Sequence, residues 1–223
     1  MDTIQGRRNL WFYAAANAVS RFGGQYQFLA VTALTYAVTG SPLFTAMQMA
    51  VSGLPMILLA RWTGLPADRF DPRRVITVVS LVQAVLTLGY LLSGSVVWIL
   101  VLNLLVATAS AFAGPARATL VPQMVGHDQI MRANARLATV GGAVELVSPV
   151  LAGFMLVRTS TAAAFLFNAA SFLFPAAAML LVQLVEPLER KNRAAAEGSA
   201  LHAAWLFLQA RRGMMRLLLG YGA

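Results

Sequence analysis

The sequence predicts an all-α membrane protein with six spanning helices, on three observations. Hydrophobic residues make up 59% of the chain and charged residues only 11%, whereas soluble domains run nearer a quarter charged. The apolar residues gather in blocks of about 20, the length a helix needs to cross roughly 30 Å of hydrocarbon. The basic residues fall almost entirely at one set of block ends, the bias that orients membrane helices. Within the blocks the apolar run is continuous and does not alternate, which excludes the strands of a spanning barrel.

Taken in order, Asn9 to Val38 holds the first helix, unusually polar in its middle. Pro42 to Arg61 holds the second, Val75 to Leu92 the third, and Val96 to about Gly114 the fourth. The fifth runs from Ala133 to Val157 and the sixth from Ala162 to Val185, so residues 1–185 form one transmembrane bundle. A polar run from Glu186 to Arg193 then opens a cytoplasmic linker, 186–213. Within it, Leu201, Trp205 and Leu208 lie at helical spacing, which suits either a short amphipathic helix on the membrane surface or an ordinary packed linker helix. Residues 214–223 are apolar again and read as the start of a truncated seventh helix. On that reading the chain is a fragment or a shortened form of something longer.

A secretory signal peptide is weighed against this, because Arg7-Arg8, Leu10 to Ala16 and Ala16-Asn17-Ala18 have the right order of parts. Cleavage there would leave Gln27 to Val38 too short to span and the number of helices odd, against the charge pattern.

The net charge is +9. Of the 17 Lys and Arg, fifteen lie at one set of helix ends, leaving Arg158 on the opposite side and Arg21 inside the first helix. The turns at Gly40-Ser41 and Ser93 to Ser95 carry no charge. This placement puts both termini of the bundle in the cytoplasm of an inner or plasma membrane, with the lipid bilayer as the partner. It accounts for the basicity without nucleic acid. With no cysteine, neither a disulfide nor a thiolate metal site can be built. The only histidines, His127 and His202, lie outside the blocks, so no buried Ser–His pair and no metal cluster can be assembled. No catalytic residue, cofactor or metal is therefore expected, which argues against an intramembrane enzyme.

The most specific segment joins the second and third blocks: Gly64-Leu65-Pro66-Ala67-Asp68-Arg69-Phe70-Asp71-Pro72-Arg73-Arg74. Gly64 permits close approach and a turn, Asp68 is expected near the start of the third helix, where a carboxylate suits the dipole, and Arg69, Arg73 and Arg74 pin the loop to the inner face. The segment resembles the signature of the major facilitator superfamily of secondary transporters, a Gly, three residues, Asp-Arg, then paired basic residues. Pro66 stands where Leu is usual, and Asp71-Pro72 replaces Gly-Arg. The resemblance implies that Asp68 latches the two halves of the carrier together when the inner gate is closed; a local cap is the alternative. It also implies that the chain is the N-terminal half of a fold of about twelve helices, so that a missing C-terminal half, or a second copy, is a partner. A transport-inactive half is the competing reading.

Phe112-Ala113-Gly114-Pro115-Ala116-Arg117, Leu120-Val121-Pro122, Ala133-Asn134 and Ser20-Arg21-Phe22-Gly23 are similar to bacterial drug-exporter and siderophore-exporter members. Ser148-Pro149-Val150-Leu151-Ala152-Gly153 looks like a degenerate antiporter motif, although close packing of small residues in lipid explains Ser148, Ala152 and Gly153 as well. No Arg occupies the middle of the fourth helix, where many proton-coupled exporters carry one. The function implied is export of small amphipathic molecules by alternating access, with protons as a further partner.

Two charges remain inside the membrane, Arg21 in the first helix and Glu145 in the fifth. Each costs about 3 kcal/mol at the bilayer centre, so each is functional by default. Arg21 lies 12 residues from Asn9 and Glu145 12 from Ala133; at about 1.5 Å per residue both reach mid-depth, which permits a pair. A carboxyl can exchange a proton whereas a guanidinium stays charged, so Glu145 is the expected carrier; a static ion pair between the helices is the alternative. Asn17, Arg21 and Gln25 repeat every four residues and are expected to line the cavity face of the first helix. Gln48, Gln83 and Asn168 are expected to form interhelical hydrogen bonds.

Overall fold

The computed structural model describes residues 2–125, 129–182 and 184, without the side chains of residues 2–5, 67 and 68. The linker at 186–213, the apolar end at 214–223 and both histidines lie outside the described residues. Within them the chain is helical throughout: α1 (Asp2–Thr39), α2 (Pro42–Leu58), α3 (Ala60–Arg69), α4 (Pro72–Leu88) with a 3-10 turn (Gly89–Leu92), α5 (Val96–Val125), α6 (Ile130–Arg158) and α7 (Thr161–Leu181).

Four of these helices are long and apolar enough to cross a membrane: Pro72–Leu92, Val96–Val125, Ile130–Arg158 and Thr161–Leu181. A fifth span is formed if α2 and the start of α3, bent by 65°, are taken as one. At 38 residues α1 has the length but not the apolarity, because Asn17, Ser20, Arg21, Gln25 and Gln27 interrupt it. Its passage through Ala16-Asn17-Ala18 is one unbroken helix.

Short turns join most of the helices. Gly40 ends α1 with φ of 61° and donates its N–H to the Tyr36 carbonyl at 2.8 Å, the left-handed cap that glycine adopts without a Cβ penalty. Pro42 follows at the first turn of α2, where its missing N–H costs nothing. The Ser160 side chain caps α7 by accepting from the Ala163 N–H at 3.2 Å.

Two apolar clusters mark the ends of the bundle. Leu10, Tyr13, Ile76, Ala116, Leu120, Met124, Ala133 and Met179 pack at the end that carries the amino terminus. Tyr26, Ala30, Tyr90, Ile99, Ala152, Ala164 and Phe165 pack at the other. Between them lies a polar layer. Gln27 Oε1 accepts from Thr87 at 3.0 Å and from the Asn168 amide at 2.5 Å, tying α1, α4 and α7. The Gln83 amide donates to Ser110 at 2.7 Å, joining α4 to α5. The Asn103 amide donates at 2.9 Å to both the Gln48 carbonyl and Ser52, joining α5 to α2. Gln83 and Asn168 thus bond between helices through their side chains, whereas Gln48 does so through its backbone. Such bonds hold helices together where lipid offers no hydrophobic drive.

Outward faces are apolar. Val78 and Val85 on α4, Leu92 in the turn after it, Leu146, Val150 and Val157 on α6, and Leu180 on α7 are all exposed, a surface far too extensive for water. Trp11 and Trp62 lie exposed toward one end, Tyr36 and Trp98 toward the other, as aromatic residues do at the two membrane interfaces. Trp98 Nε1 donates to the Gly89 carbonyl at 3.0 Å.

Three boundaries differ from the sequence expectation. The fourth helix does not stop near Gly114 but runs through Pro115 and Pro122 to Val125, because buried Ala113, Ala116, Leu120 and Met124 hold the segment against its neighbours. Gly64 to Arg69 is not loop but helix: α2 turns at Leu59, one turn after Pro55, and continues as α3. The third helix consequently starts at Pro72, and its N-cap is Asp71, not Asp68. Asp71 accepts from the Arg73 N–H at 2.9 Å and from its guanidinium Nη2 at 2.7 Å, while Arg73 Nη1 reaches the Val182 carbonyl beyond α7 at 3.3 Å.

That clamp yields a prediction. The hydrogen-bonded Arg73 side chain holds the Asp71 carboxyl below its ordinary value. A carboxyl depressed in the folded state stabilises fully above its unfolded value and loses that contribution as pH falls through the folded one. Asp71→Ala is expected to cost about 1 kcal/mol at neutral pH, read as a lower thermal midpoint in detergent. The wild-type advantage should shrink below about pH 4.

Candidate functional site

α1 runs through the bundle against α5, α6 and α7, so its polar middle decides what the interior can do. The structure brings Arg21 and Glu145 together: Arg21 Nη1 lies 2.5 Å from Glu145 Oε1, linking α1 to α6. Gly141, one turn before Glu145, lies beside the guanidinium; a Cβ there would meet Arg21 Cζ at an ordinary van der Waals distance of 3.6 Å. The pair is not sealed, its side chains being 47% and 59% exposed. An ion pair open to that degree at mid-helix cannot face hydrocarbon at modest cost; it needs water or further protein beside it.

Beside it lies an open cavity of about 650 Å3 lined by α1, α2, α3, α4, α5 and α7, within the range of small-molecule sites. Asn17, Ser20, Arg21, Gln27, Gln83 and Asn103 supply polar groups, and Phe28, Val31, Met56, Val106 and Phe172 the apolar wall. Asn17 and Arg21 line it as the sequence placed them, but the other expected position, Gln25, is absent from its wall and Gln27 is present. The lining residues of α1 run 17, 20, 21, 24, 27, 28 and 31. A mix of three- and four-residue steps was the available signal; a strict four-residue step drifts off the face. A second cavity of about 230 Å3 between α1, α5 and α6 shares Asn17, Arg21 and Arg117 with the first. By sequence Arg117 ranks only among the charges that set orientation.

The gating segment is spread over two helices. Gly64 and Arg69 lie in α3, and Arg73 and Arg74 in the first turn of α4, with Arg69 and Arg74 exposed. The backbone of Asp68 falls in the last turn of α3, the negative end of a helix dipole, where a carboxylate is locally unfavourable. Its side chain is outside the described residues. In α6, Ser148 and Ala152 are buried, Ala152 in the outer cluster against Tyr26 and Ala30, whereas Pro149 is exposed and Gly153 half-buried. Small residues at 141, 148 and 152 thus make the face on which α1 packs closely.

Comparison with known proteins agrees with this architecture. The family described as transmembrane secretion effector, of major facilitator type, matches residues 4–220. A protein of Bacillus subtilis (strain 168) named "Uncharacterized MFS-type transporter YfiS" is 26% identical over 221 residues, which cover 97% of this chain and 52% of that relative. The chain therefore spans about half the length of the curated relative it matches. Apolar helices, a polar layer between two apolar clusters and a match over nearly the whole sequence lead to one conclusion: the chain belongs to the major facilitator superfamily of membrane transporters, in its transmembrane secretion effector family.

Proposed function

We propose that this chain forms the amino-terminal, six-span half of an alternating-access exporter of small amphipathic molecules, in the inner or plasma membrane with its amino terminus in the cytoplasm. The observation that carries the reading is the half-exposed Arg21–Glu145 pair beside a cavity with polar and apolar walls. α1 serves as the sixth span, its polar residues sheltered by α5, α6 and α7. The second half comes from further chain or from a second copy, since the relative is about twice as long as the matched segment. Midplane binding between two such halves is how these folds carry substrate. Glu145 takes up and releases the coupling proton, exchanging Arg21 for solvent as the cavity changes face. The small-residue face at 148, 152 and 153 keeps α6 on α1 while the halves rock.

Asp68, whose backbone lies in the last turn of α3, acts as the latch of the inner gate by pairing with a partner in the second half. Asp68→Asn is expected to reduce efflux of an amphipathic dye at least tenfold with membrane protein levels unchanged. Wild-type efflux by that variant would sink the latch; absence of any drug or dye movement by the wild-type protein in everted vesicles would sink the transport reading itself.

A further inference from the structure

Arg117 lies in α5 between buried Ala116 and Leu120, is itself half-buried, and lines both cavities. Its Nε is enclosed and has no hydrogen-bond partner. A buried guanidinium ordinarily pairs with a carboxylate or an equivalent anion. Among the described residues no Asp or Glu lines either cavity, and the carboxylate near them, Glu145, is engaged by Arg21. With Glu145 neutralising Arg21, the shared wall keeps one uncompensated positive charge. Around it stand donors suited to an anion: the Tyr13 hydroxyl and the Asn134 amide on the side of the smaller cavity, and on the wall common to both the Asn17 amide, which donates one hydrogen to the Tyr13 carbonyl at 2.9 Å and keeps a second. On the far side the larger cavity offers an apolar bed formed by Phe28, Val31, Met56 and Phe172.

We propose that Arg117 anchors the anionic group of an amphipathic organic anion, with that group in the smaller cavity and the apolar body in the larger one. This rests on the transport reading and names its substrate class. The shared chemistry is a sulfate, sulfonate, phosphate or carboxylate on an apolar tail, whether from a soluble amphiphile or from a lipid headgroup. The planar guanidinium fork favours such anionic, multi-oxygen groups over a single hydroxyl. An amine-headed molecule of equal length meets only repulsion there.

The test uses the full 223-residue chain in nanodiscs of phosphatidylcholine, with radiolabelled decyl sulfate as the probe. Saturable binding is expected, with decanol and decyltrimethylammonium competing at least tenfold more weakly than unlabelled decyl sulfate. Arg117→Gln is expected to weaken binding about 10- to 100-fold, the loss of a charge-assisted bond, and Arg117→Lys to restore part of it. Replacing a third of the lipid by phosphatidylglycerol separates the sources. Loss of probe binding assigns the site to a lipid headgroup and unchanged binding to a soluble amphiphile; both support the anion site. Equal competition by decanol and decyltrimethylammonium on the wild-type chain overturns the proposal even if Arg117→Gln fails to fold. So does undiminished binding by a folded Arg117→Gln. Counterflow of decyl sulfate and of ethidium in proteoliposomes is measured alongside. Binding with no counterflow of either sinks transport by this chain and leaves the anion site standing, whereas ethidium counterflow without decyl sulfate binding overturns the anion site alone.

Discussion

Replacing Glu145 by glutamine is expected to lower proton-driven efflux at least tenfold and to remove its dependence on the pH gradient, with little change in the amount of protein in the membrane. The substitution keeps the size and a hydrogen-bond acceptor for Arg21 but deletes the charge and the exchangeable proton. Arg21 Nη1 now contacts Glu145 Oε1 at 2.5 Å; without the carboxylate a guanidinium at mid-depth stands uncompensated, at a cost of about 3 kcal/mol on insertion scales. Because both side chains are about half exposed, water relieves part of that penalty and the bundle should still assemble. The swap Arg21→Glu with Glu145→Arg separates the two roles of the pair. If the pair only staples α1 to α6, the swap restores transport along with stability. If Glu145 carries the proton from its own place on α6, the swap restores stability and leaves efflux at the single-mutant level.

The largest effect on folding is expected at Gly23. A Cβ at that position would lie 2.4 Å from Ser171 Oγ, 2.5 Å from Asn168 Oδ1 and 2.9 Å from Ser171 Cβ. These atoms cannot move aside cheaply, because Ser171 donates to Asn168 Oδ1 at 2.8 Å and the Asn168 amide is held by Gln27. Gly23→Ala must therefore push α1 off α7 or break the polar layer. Overpacking of this kind costs about 1–3 kcal/mol, and unsatisfied buried amides add about 1–3 kcal/mol each. The expected result is a large loss of monodisperse protein after detergent extraction and a thermal midpoint lowered by several degrees. Gly24→Ala is the control. No atom lies within 4 Å of a Cβ there, so it should be neutral or slightly stabilising, alanine being the better helix former by about 1 kcal/mol.

Much of this architecture was legible because lipid imposes a single demand, internal satisfaction of every backbone hydrogen bond, which long apolar helices meet. α4, α6 and α7 follow from hydropathy alone. The positions of Arg21 and Glu145 were legible for a related reason: a charge in a 20-residue apolar block stands out, and equal distances from the block ends give equal depth. What failed was local. Gly64, Pro66 and Asp68 read as loop because each is a poor helix former, yet the segment continues α2 as a bent helix that packs on α5. Gly114-Pro115 read as a stop for the same reason, and tertiary packing of Ala113 and Ala116 overrode it. Arg117 was hidden by its company. A basic residue near a helix end satisfies the orientation rule, whereas in the fold it lines two cavities. Gln27 was missed because a four-residue step was applied to a helix that advances 3.6 residues per turn.

The central claim is that the face of the bundle bearing Asn17 and Arg21 meets water at the depth of the membrane core, while the outer face of α4 meets lipid. The chain has no cysteine, so single thiols can be introduced without background. Asn17→Cys and Ser52→Cys line the larger cavity, whereas Val78→Cys and Val85→Cys lie on the exposed apolar face. Each variant in intact membranes is treated with a charged, membrane-impermeant methanethiosulfonate reagent. The account predicts rapid modification at 17 and 52, slowed by a transported amphiphile, and none at 78 and 85. Equal protection of all four positions, or modification of 78 and 85 in preference to 17 and 52, would contradict it.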